Sequence, residues 1–486
     1  MDPIQLTINH ELVEIKGLPP HTTLLQYLRE HALLRGTKEG CAEGDCGACT
    51  VALLEQSPDS PPQWRAINAC LLLLPMLDGK EIITVEGLTE NERLHPVQET
   101  LVNHFGSQCG YCTPGVVMTM FEACYRTDLD SDGKLDDQMC GTLCRCTGYR
   151  PIKDATKAIA GLLPADSAGQ RLEQPLTPLR DLTYGDENHL FIRPASMETL
   201  WSALKDHPDA RLVAGATDLG LDVTKKHQTW PVLIGLDGIP ALQEILESDT
   251  EWSIGGAVPL SHLEHRLEDA LPALVRMLRY FGSRQIKNRA TVGGNLCNAS
   301  PIGDLAPILL ALNAEVTLSS REAQRSVPLD SFFLDYRKTA LREGEILSRI
   351  TIPKPAVDAR VCSYKVSKRR ELDISAVAAG CFLRLDSQNR VEEIRLGYGG
   401  MAATPKRATH TEQALLGQEW SQSVVKRAME SLEKDFQPLT DHRATAWYRG
   451  KVAKNLLLGF YLETLNSTQA ALGDHPSGTI VLEAAP

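Results

Sequence analysis

The stretch GCAEGDCGACT, residues 40–50, sets Cys41, Cys46 and Cys49 in one short loop, and Cys70 follows some twenty residues on. The spacing C-x4-C-x2-C with a distant fourth cysteine is that of a plant-type [2Fe–2S] site. Gly40, Gly44 and Gly47 are predicted to take positive φ and to turn backbone N–H groups toward the sulfurs. A zinc site usually takes its thiolates as two short pairs, whereas three stand together here, which favours the cluster over zinc or a disulfide. Outward from the loop, two short strands, a helix over 23–34 and the apolar run 71–77 before Gly79 read as a small ferredoxin-like β-grasp domain.

A second set follows: Cys109 and Cys112 in SQCGYCTPG, then Cys144 and Cys146 in LCRCTGYRP. By spacing alone it could bind zinc or a cluster. Pro114 suits a first helical turn, and Val116, Val117, Met120, Phe121 and Cys124 follow with helical period, so all four thiols are expected at helix starts. There the positive helix end favours thiolate and a negatively charged cluster.

The chain has 486 residues, 50 Lys plus Arg against 62 Asp plus Glu, and a formal charge of -12. That length suggests about three domains, and the negative balance argues against nucleic acid or an anionic membrane as partner. The N-terminus alternates apolar and polar residues with no basic or apolar leader, and the run 71–77 is far short of a bilayer span. Thiolates that must stay reduced suggest the cytoplasm.

Along the chain, residues 94–159 take a helical period broken at Gly110, Pro114 and Gly148, which predicts a four-helix domain. Residues 163–187 lose apolar periodicity and gain Pro, Gly and charge, as a linker does. Strand-like segments at 211–213, 232–236 and 252–255 then alternate with helices such as 196–205, a mixed pattern that predicts α+β lobes. A last domain opens on strands at 363–366 and 376–385 and closes in helices.

Two turns carry small residues where a ligand could approach. RLVAGATD, at 211–218, ends a strand in Ala and Gly, which lets backbone N–H groups approach a pyrophosphate; such turns are also common without a ligand. TVGGN, at 291–295, sets two glycines beside hydrogen-bonding side chains. Neither G-x-G-x-x-G after a strand nor G-x-x-x-x-G-K-[ST] occurs, so a Rossmann site and a P-loop are unsupported.

KEGCAEGDCGACTV, GSQCGYCTPG and LCRCTGYRPI resemble the iron–sulfur part of the molybdenum hydroxylases. LVAGATDL, TVGGNLCNASPIGDLAP, YRKTALREGEIL and YGGMAATPKRA resemble the flavin part of the same family, and together these stretches cover nearly the whole chain. Modules in this order, with no molybdenum domain following, resemble the small subunits of bacterial xanthine dehydrogenases. The resemblance implies an α+β multidomain chain. Its parts are a ferredoxin-like β-grasp [2Fe–2S] domain (1–85), a four-helix [2Fe–2S] domain (86–162), a linker (163–187), an α+β FAD-binding domain (188–357), a C-terminal α/β flavoprotein domain (358–468) and a tail (469–486).

It further implies that Arg211, Leu212, Val213, Ala214, Gly215, Ala216, Thr217, Asp218, Thr291, Val292, Gly293, Gly294 and Asn295 contact the flavin's phosphates and ribityl chain. Phe281, Asp304, Leu347 and Lys365 would complete the pocket. Ala216 stands where many relatives have glycine. Tyr336 and the loop 367–373 would face the ring where nicotinamide docks, although KRREL also reads as a solvated charged loop. Gln108 would lie near the partner's pterin, or be an ordinary surface amide. No side chain is expected to act as general acid or base, since the cofactors carry the chemistry.

The implied function is electron transfer from a molybdopterin partner, which oxidises hypoxanthine or xanthine to urate, through the two clusters to FAD and NAD. The implied assembly is an (αβ)2 heterotetramer. Alternatives are the same role beside an aldehyde or other N-heterocycle or aromatic hydroxylase, a stand-alone NADH-dependent reductase, or a zinc-stabilised binding protein. Asp128, Asp130, Asp132 and Gly133 open like a calcium loop, but its twelfth position is Met139, so the stretch reads as an acidic connection. Cys124, Cys140, Cys297, Cys362 and Cys381 read as packing thiols.

Overall fold

In a computed structural model of the chain, which describes residues 1–465, the alternating segment IQLTI becomes the strand Ile4–Ile8 with Ile4, Leu6 and Ile8 buried. It pairs antiparallel with Glu11–Ile15 and parallel with Glu81–Ile83. Thr50–Glu55 and Gln63–Asn68 complete a five-stranded sheet in β-grasp order. Thr23 caps the helix expected at 23–34, which runs as Leu24–Gln26 and then as a wider turn through Tyr27–His31. The predicted tail, 469–486, lies outside the described residues.

The four expected helices are present as Pro96–Asn103, Thr113–Cys124, Asp132–Met139 and Arg150–Ile159. Thr113–Cys124 is buried from Gly115 onward. Asp132 is the first residue of its helix, and Asp128 is held by Arg126 at 2.6 Å, so the acidic stretch does connect two helices.

The linker expectation needs correction at both ends. Ser167–Arg171 is a short helix capped by Asp166, and Leu182–Gly185 is a strand paired with Leu190–Arg193. These strands continue through Val232–Gly235 to Arg211–Val213 as a four-stranded sheet. LTYG is too short for its period to outweigh the polar residues around it. Its Leu182 and Tyr184 nevertheless share one apolar core with Ile4, Leu6 and Leu71.

The chain divides into two units that do not follow the linear order of the predicted domains. The first holds Met1–Glu244, Ala257–His262 and Gly282–Thr291; the second holds Ile245–Gly256, Leu263–Phe281 and the chain from Val292. Within the second, Ile245–Glu247, Glu251–Gly255, Ile346–Pro353, Glu315–Ser319 and Gln324–Pro328 form an antiparallel sheet. A further antiparallel sheet, Arg360–Val366, Val377–Leu385, Val391–Gly399 and Lys406–Arg407, shares its core with residues of the helices Gln422–Met429 and Ala446–Leu465. No helix among the described residues is long and apolar enough to cross a membrane.

Candidate functional site: paired thiols and two flavin turns

The glycine-rich loop does bend through left-handed backbone, but not quite where expected. Gly44 and Gly47 have φ of 76° and 68°, and Ala42 joins them at 54°, whereas Gly40 does not. Gly40 is needed instead for space, since a Cβ there would stand 2.7 Å from Cys46 Sγ. The bend aims the N–H groups of Glu43, Asp45 and Cys46 at Cys41 Sγ, at 3.4, 3.4 and 3.3 Å. Hydrogen bonding to Cys46 and these amides, against the opposing effect of burial, draws the Cys41 thiol down to about 5.

The eight thiols meet two by two: Cys41 with Cys46, Cys49 with Cys70, Cys109 with Cys146, and Cys112 with Cys144. In three pairs one thiol is lowered and its partner raised. Cys46 is raised by its bond to Cys41, Cys146 by its bond to Cys109, and burial with Cys144 pushes Cys112 up to about 12. Among the described residues no three His, Cys, Asp or Glu side chains gather for a single ion. Two pairs of sulfurs in each set fit a [2Fe–2S] cluster, which Cys41, Cys46, Cys49 and Cys70 would hold in one set and Cys109, Cys112, Cys144 and Cys146 in the other.

In the second set only Cys112 occupies a helix-start position, as N-cap of Thr113–Cys124. Cys144 and Cys146 lie in the loop before Arg150–Ile159, whose cap is Tyr149 at φ 67°. The helix-start expectation therefore fails for Cys109, Cys144 and Cys146. Local hydrogen bonds act in place of a helix end: Thr147 Oγ1 lies 3.2 Å from Cys144 Sγ, and Cys144 N–H donates to Tyr149 Oη at 3.0 Å. Burial raises the Cys144 thiol, but hydrogen bonds with Thr147, Cys112 and the Cys146 backbone together outweigh it and leave it lowered.

The two loops touch. Leu143 N–H donates to Cys46 O at 3.0 Å, and a Cβ on Gly47 would stand 2.1 Å from Gly141 O. The sequence carried no sign of this junction beyond glycines at both sides of it.

The candidate flavin residues divide between the two units. In the first, the turn after Arg211–Val213 presses on Arg289, for a Cβ on Gly215 would lie 1.8 Å from Arg289 O. Ala216 is held at φ 63°, the left-handed region that glycine favours. Arg211 and Asp218 are exposed, while Leu212, Ala214 and Thr217 are part-buried and Val213 is buried. Thr291 pairs across to Pro259.

In the second unit, Val292, Gly293, Gly294 and Asn295 open the short helix Val292–Cys297 rather than a free turn. Gly293 N–H donates to Gly256 O at 3.0 Å, and a Cβ on Gly293 would lie 2.5 Å from that oxygen. A Cβ on Gly256 would itself lie 2.2 Å from Leu347 O, so the helix Val292–Cys297 and the Leu347 strand meet at one glycine. Lys365 Nζ bonds Asp304 Oδ2 at 2.7 Å and Tyr280 O at 2.9 Å, next to Phe281. Asn295 Oδ1 is buried with no partner among the described residues, which fits a residue built to meet a ligand. Tyr336 is exposed, in the hairpin between Phe333–Asp335 and Lys338–Thr339. Gln108 is an exposed amide beside Cys109.

Comparison with known proteins follows the order of the chain, and the FAD-binding match runs across both units. Four family models match in order: a 2Fe-2S iron-sulfur cluster binding domain over residues 6–74, a [2Fe-2S] binding domain over 84–157, the FAD binding domain in molybdopterin dehydrogenase over 184–355, and the CO dehydrogenase flavoprotein C-terminal domain over 362–464. A xanthine dehydrogenase of Emericella nidulans is 32% identical over 97% of the chain, and a xanthine dehydrogenase/oxidase of Rattus norvegicus 32% over 96%. The chain spans 39% of the length of each. Among solved structures, a carbon monoxide dehydrogenase from Hydrogenophaga pseudoflava superposes with a TM-score of 0.53 at 26% identity. It covers 55% of this chain and 94% of its own. Quinoline 2-oxidoreductase from Pseudomonas putida 86 gives 0.51 at 25%, over 56% and 94%.

The chain therefore carries two [2Fe–2S]-binding domains and an FAD-binding domain. It belongs to the molybdenum hydroxylase family.

Proposed function

We propose that this chain is the iron–sulfur and flavin part of a xanthine dehydrogenase. It takes electrons from a molybdopterin-bearing partner that oxidises hypoxanthine and xanthine to urate, and delivers them to NAD. When bound, the clusters carry single electrons and the flavin exchanges a hydride with nicotinamide. The relatives matched over most of the chain carry the xanthine dehydrogenase name, and since this chain spans 39% of their length, the remainder leaves room for the molybdenum part.

The observation that carries the reading is the junction between thiol sets: two pairs of sulfurs on each side and one hydrogen bond between the loops that present them. Cys41, Cys46, Cys49 and Cys70 would hold one cluster, and Cys109, Cys112, Cys144 and Cys146 the other. Arg211 to Asp218 and Thr291 to Asn295 would hold the FAD, with Phe281, Asp304, Leu347 and Lys365. Gln108, exposed beside Cys109, would face the partner's pterin, and Tyr336 would stand on the nicotinamide side. We place the complex in the cytoplasm as an (αβ)2 heterotetramer, with domains bounded near residues 85, 162 and 357.

The chain alone, loaded with iron and FAD, should pass electrons from NADH to an artificial dye and should not oxidise xanthine. Adding the molybdenum partner should restore xanthine-dependent NAD reduction, and Cys46→Ser should block that coupled reaction while sparing NADH-to-dye transfer. Xanthine oxidation by the isolated chain, or coupled turnover in the Cys46→Ser complex, would overturn the reading. A partner that oxidises aldehydes or quinolines but not purines would move the substrate within the family.

A further inference from the structure

We propose that Gln285, contributed by the flavin-binding domain, is a positioning residue for electron passage between the two clusters, because it fastens their loops to each other. This rests on the reading that the eight cysteines hold two [2Fe–2S] clusters.

Gln285 is 1% exposed. Its Nε2 lies 3.1 Å from Thr119 Oγ1 and 3.3 Å from both Thr50 Oγ1 and Thr142 Oγ1, so its two N–H groups are shared among three acceptor oxygens. Thr50 directly follows Cys49, Thr142 precedes Cys144 by two residues, and Thr119 lies on the helix that Cys112 caps. One amide thus joins three hydroxyls, one from the first thiol set's domain and two from the second's.

The hydroxyl hydrogens fix which way the amide faces. Thr50 donates to Gly47 O at 2.6 Å and Thr119 to Gly115 O at 2.8 Å, which leaves Thr142 to donate to Thr119 Oγ1 at 2.9 Å. All three oxygens then offer lone pairs, so the NH2 end must face them. Oε1 lies against Gly141, where a Cβ would stand 1.9 Å away, and meets no hydrogen-bond donor among the described residues. A buried carbonyl oxygen without a donor is costly, and its retention here marks a geometry imposed by the surroundings.

Those surroundings are the neighbours of Gln285 in sequence. Arg284 Nε bonds Glu122 Oε1 at 3.1 Å, Lys287 Nζ bonds Asp137 Oδ1 at 2.6 Å, and Asn288 Nδ2 donates to Ala66 O at 2.8 Å. Glu122 and Asp137 belong to the helical domain and Ala66 to the β-grasp sheet, so the segment is anchored on both before Gln285 reaches the junction. Electron tunnelling falls exponentially with distance. A side chain that sets the separation of the loops therefore sets the rate, without touching either cofactor.

The test uses the full chain loaded with iron and FAD. Gln285→Met keeps length and removes the hydrogen bonds; Thr142→Val removes one hydroxyl at constant shape, and Thr142→Ser keeps it. The readouts are iron and FAD content, the magnetic splitting between the two reduced clusters at low temperature, and the rate of electron equilibration between them. Gln285→Met and Thr142→Val should retain both cofactors and both cluster signals, change the splitting, and slow equilibration about tenfold. Thr142→Ser should behave as the unsubstituted chain. Unchanged splitting and rate in Thr142→Val and in Gln285→Met overturns the proposal. If Gln285→Met does not fold, the Val and Ser variants at 142 decide it alone. An unsubstituted chain that holds zinc and less than one iron would instead overturn the cluster reading beneath it.

Discussion

The backbone N–H of Leu143 donates to the carbonyl of Cys46 at 3.0 Å, which places residues adjacent in sequence to one thiol set in direct hydrogen-bond contact with the other. A single hydrogen bond then separates the covalent frame of Cys46 from that of Cys144. The contact exists only because Gly47 and Gly115 lack side chains, each standing where a Cβ would enter the backbone of the facing loop.

Independent clusters should be lost one at a time. The unsubstituted chain prepared without oxygen should carry about four irons and four acid-labile sulfides. Cys41→Ser and Cys144→Ser should each halve the iron and erase one of two paramagnetic signals on reduction. Loss of both signals from either variant, with the fold intact by circular dichroism, would show a single shared site.

Gly47→Ala should be costly for two reasons, and Gly17→Ala separates them. Both glycines have positive φ, 68° and 72°, but a Cβ at 17 meets nothing within 4 Å while one at 47 meets Gly141 O at 2.1 Å. Backbone strain alone should cost Gly17→Ala about 1 kcal/mol. Added overpacking should bring Gly47→Ala to about 3 kcal/mol or more. Denaturant midpoints measure both, and equal losses would mean the two loops do not pack as described.

Neighbouring positions in the first flavin turn should respond in opposite directions. Ala216 pays for a left-handed backbone at φ 63°, so Ala216→Gly should leave stability unchanged or raise it by up to about 1 kcal/mol. Gly215→Ala would drive a methyl into Arg289 O and should lower FAD retention on gel filtration. Full FAD retention in Gly215→Ala would place the turn away from the ligand.

His21 should make the first unit acid-sensitive. Burial, then the nearby His189, lowers its pKa from 6.5 to about 4, while Asp186 opposes weakly. Its Nε2 accepts the N–H of Trp230 at 3.0 Å, which requires the neutral ring. A histidine with a depressed folded pKa contributes stability that is fully present above 6.5 and is lost as pH falls toward 4. Going from pH 7.5 to 5 should cost about 2 kcal/mol, and His21→Gln should flatten that part of the profile. An unchanged pH dependence in His21→Gln would refute this.

Much of the molecule was decided by the sequence itself because its signals are local. Cysteine spacing, the alternation in IQLTI, Pro114 at a helix start and the period through Phe121 each depend on residues a few positions apart, and each element formed where its period lay. The backbone of a cluster loop is likewise local, which is why Gly44 and Gly47 were legible, although Gly40 turned out to provide space rather than φ. What only the tertiary structure decided are contacts between distant stretches. The strand Leu182–Gly185 is too short to announce itself and is fixed by pairing with Leu190–Arg193. The residues 282–291 leave their sequence neighbours for the first unit, and Gln285 finds hydroxyls 235, 166 and 143 positions away. No short-range pattern encodes such partners. They are selected by the closure of the whole fold, where a buried amide is stable only if distant groups satisfy it.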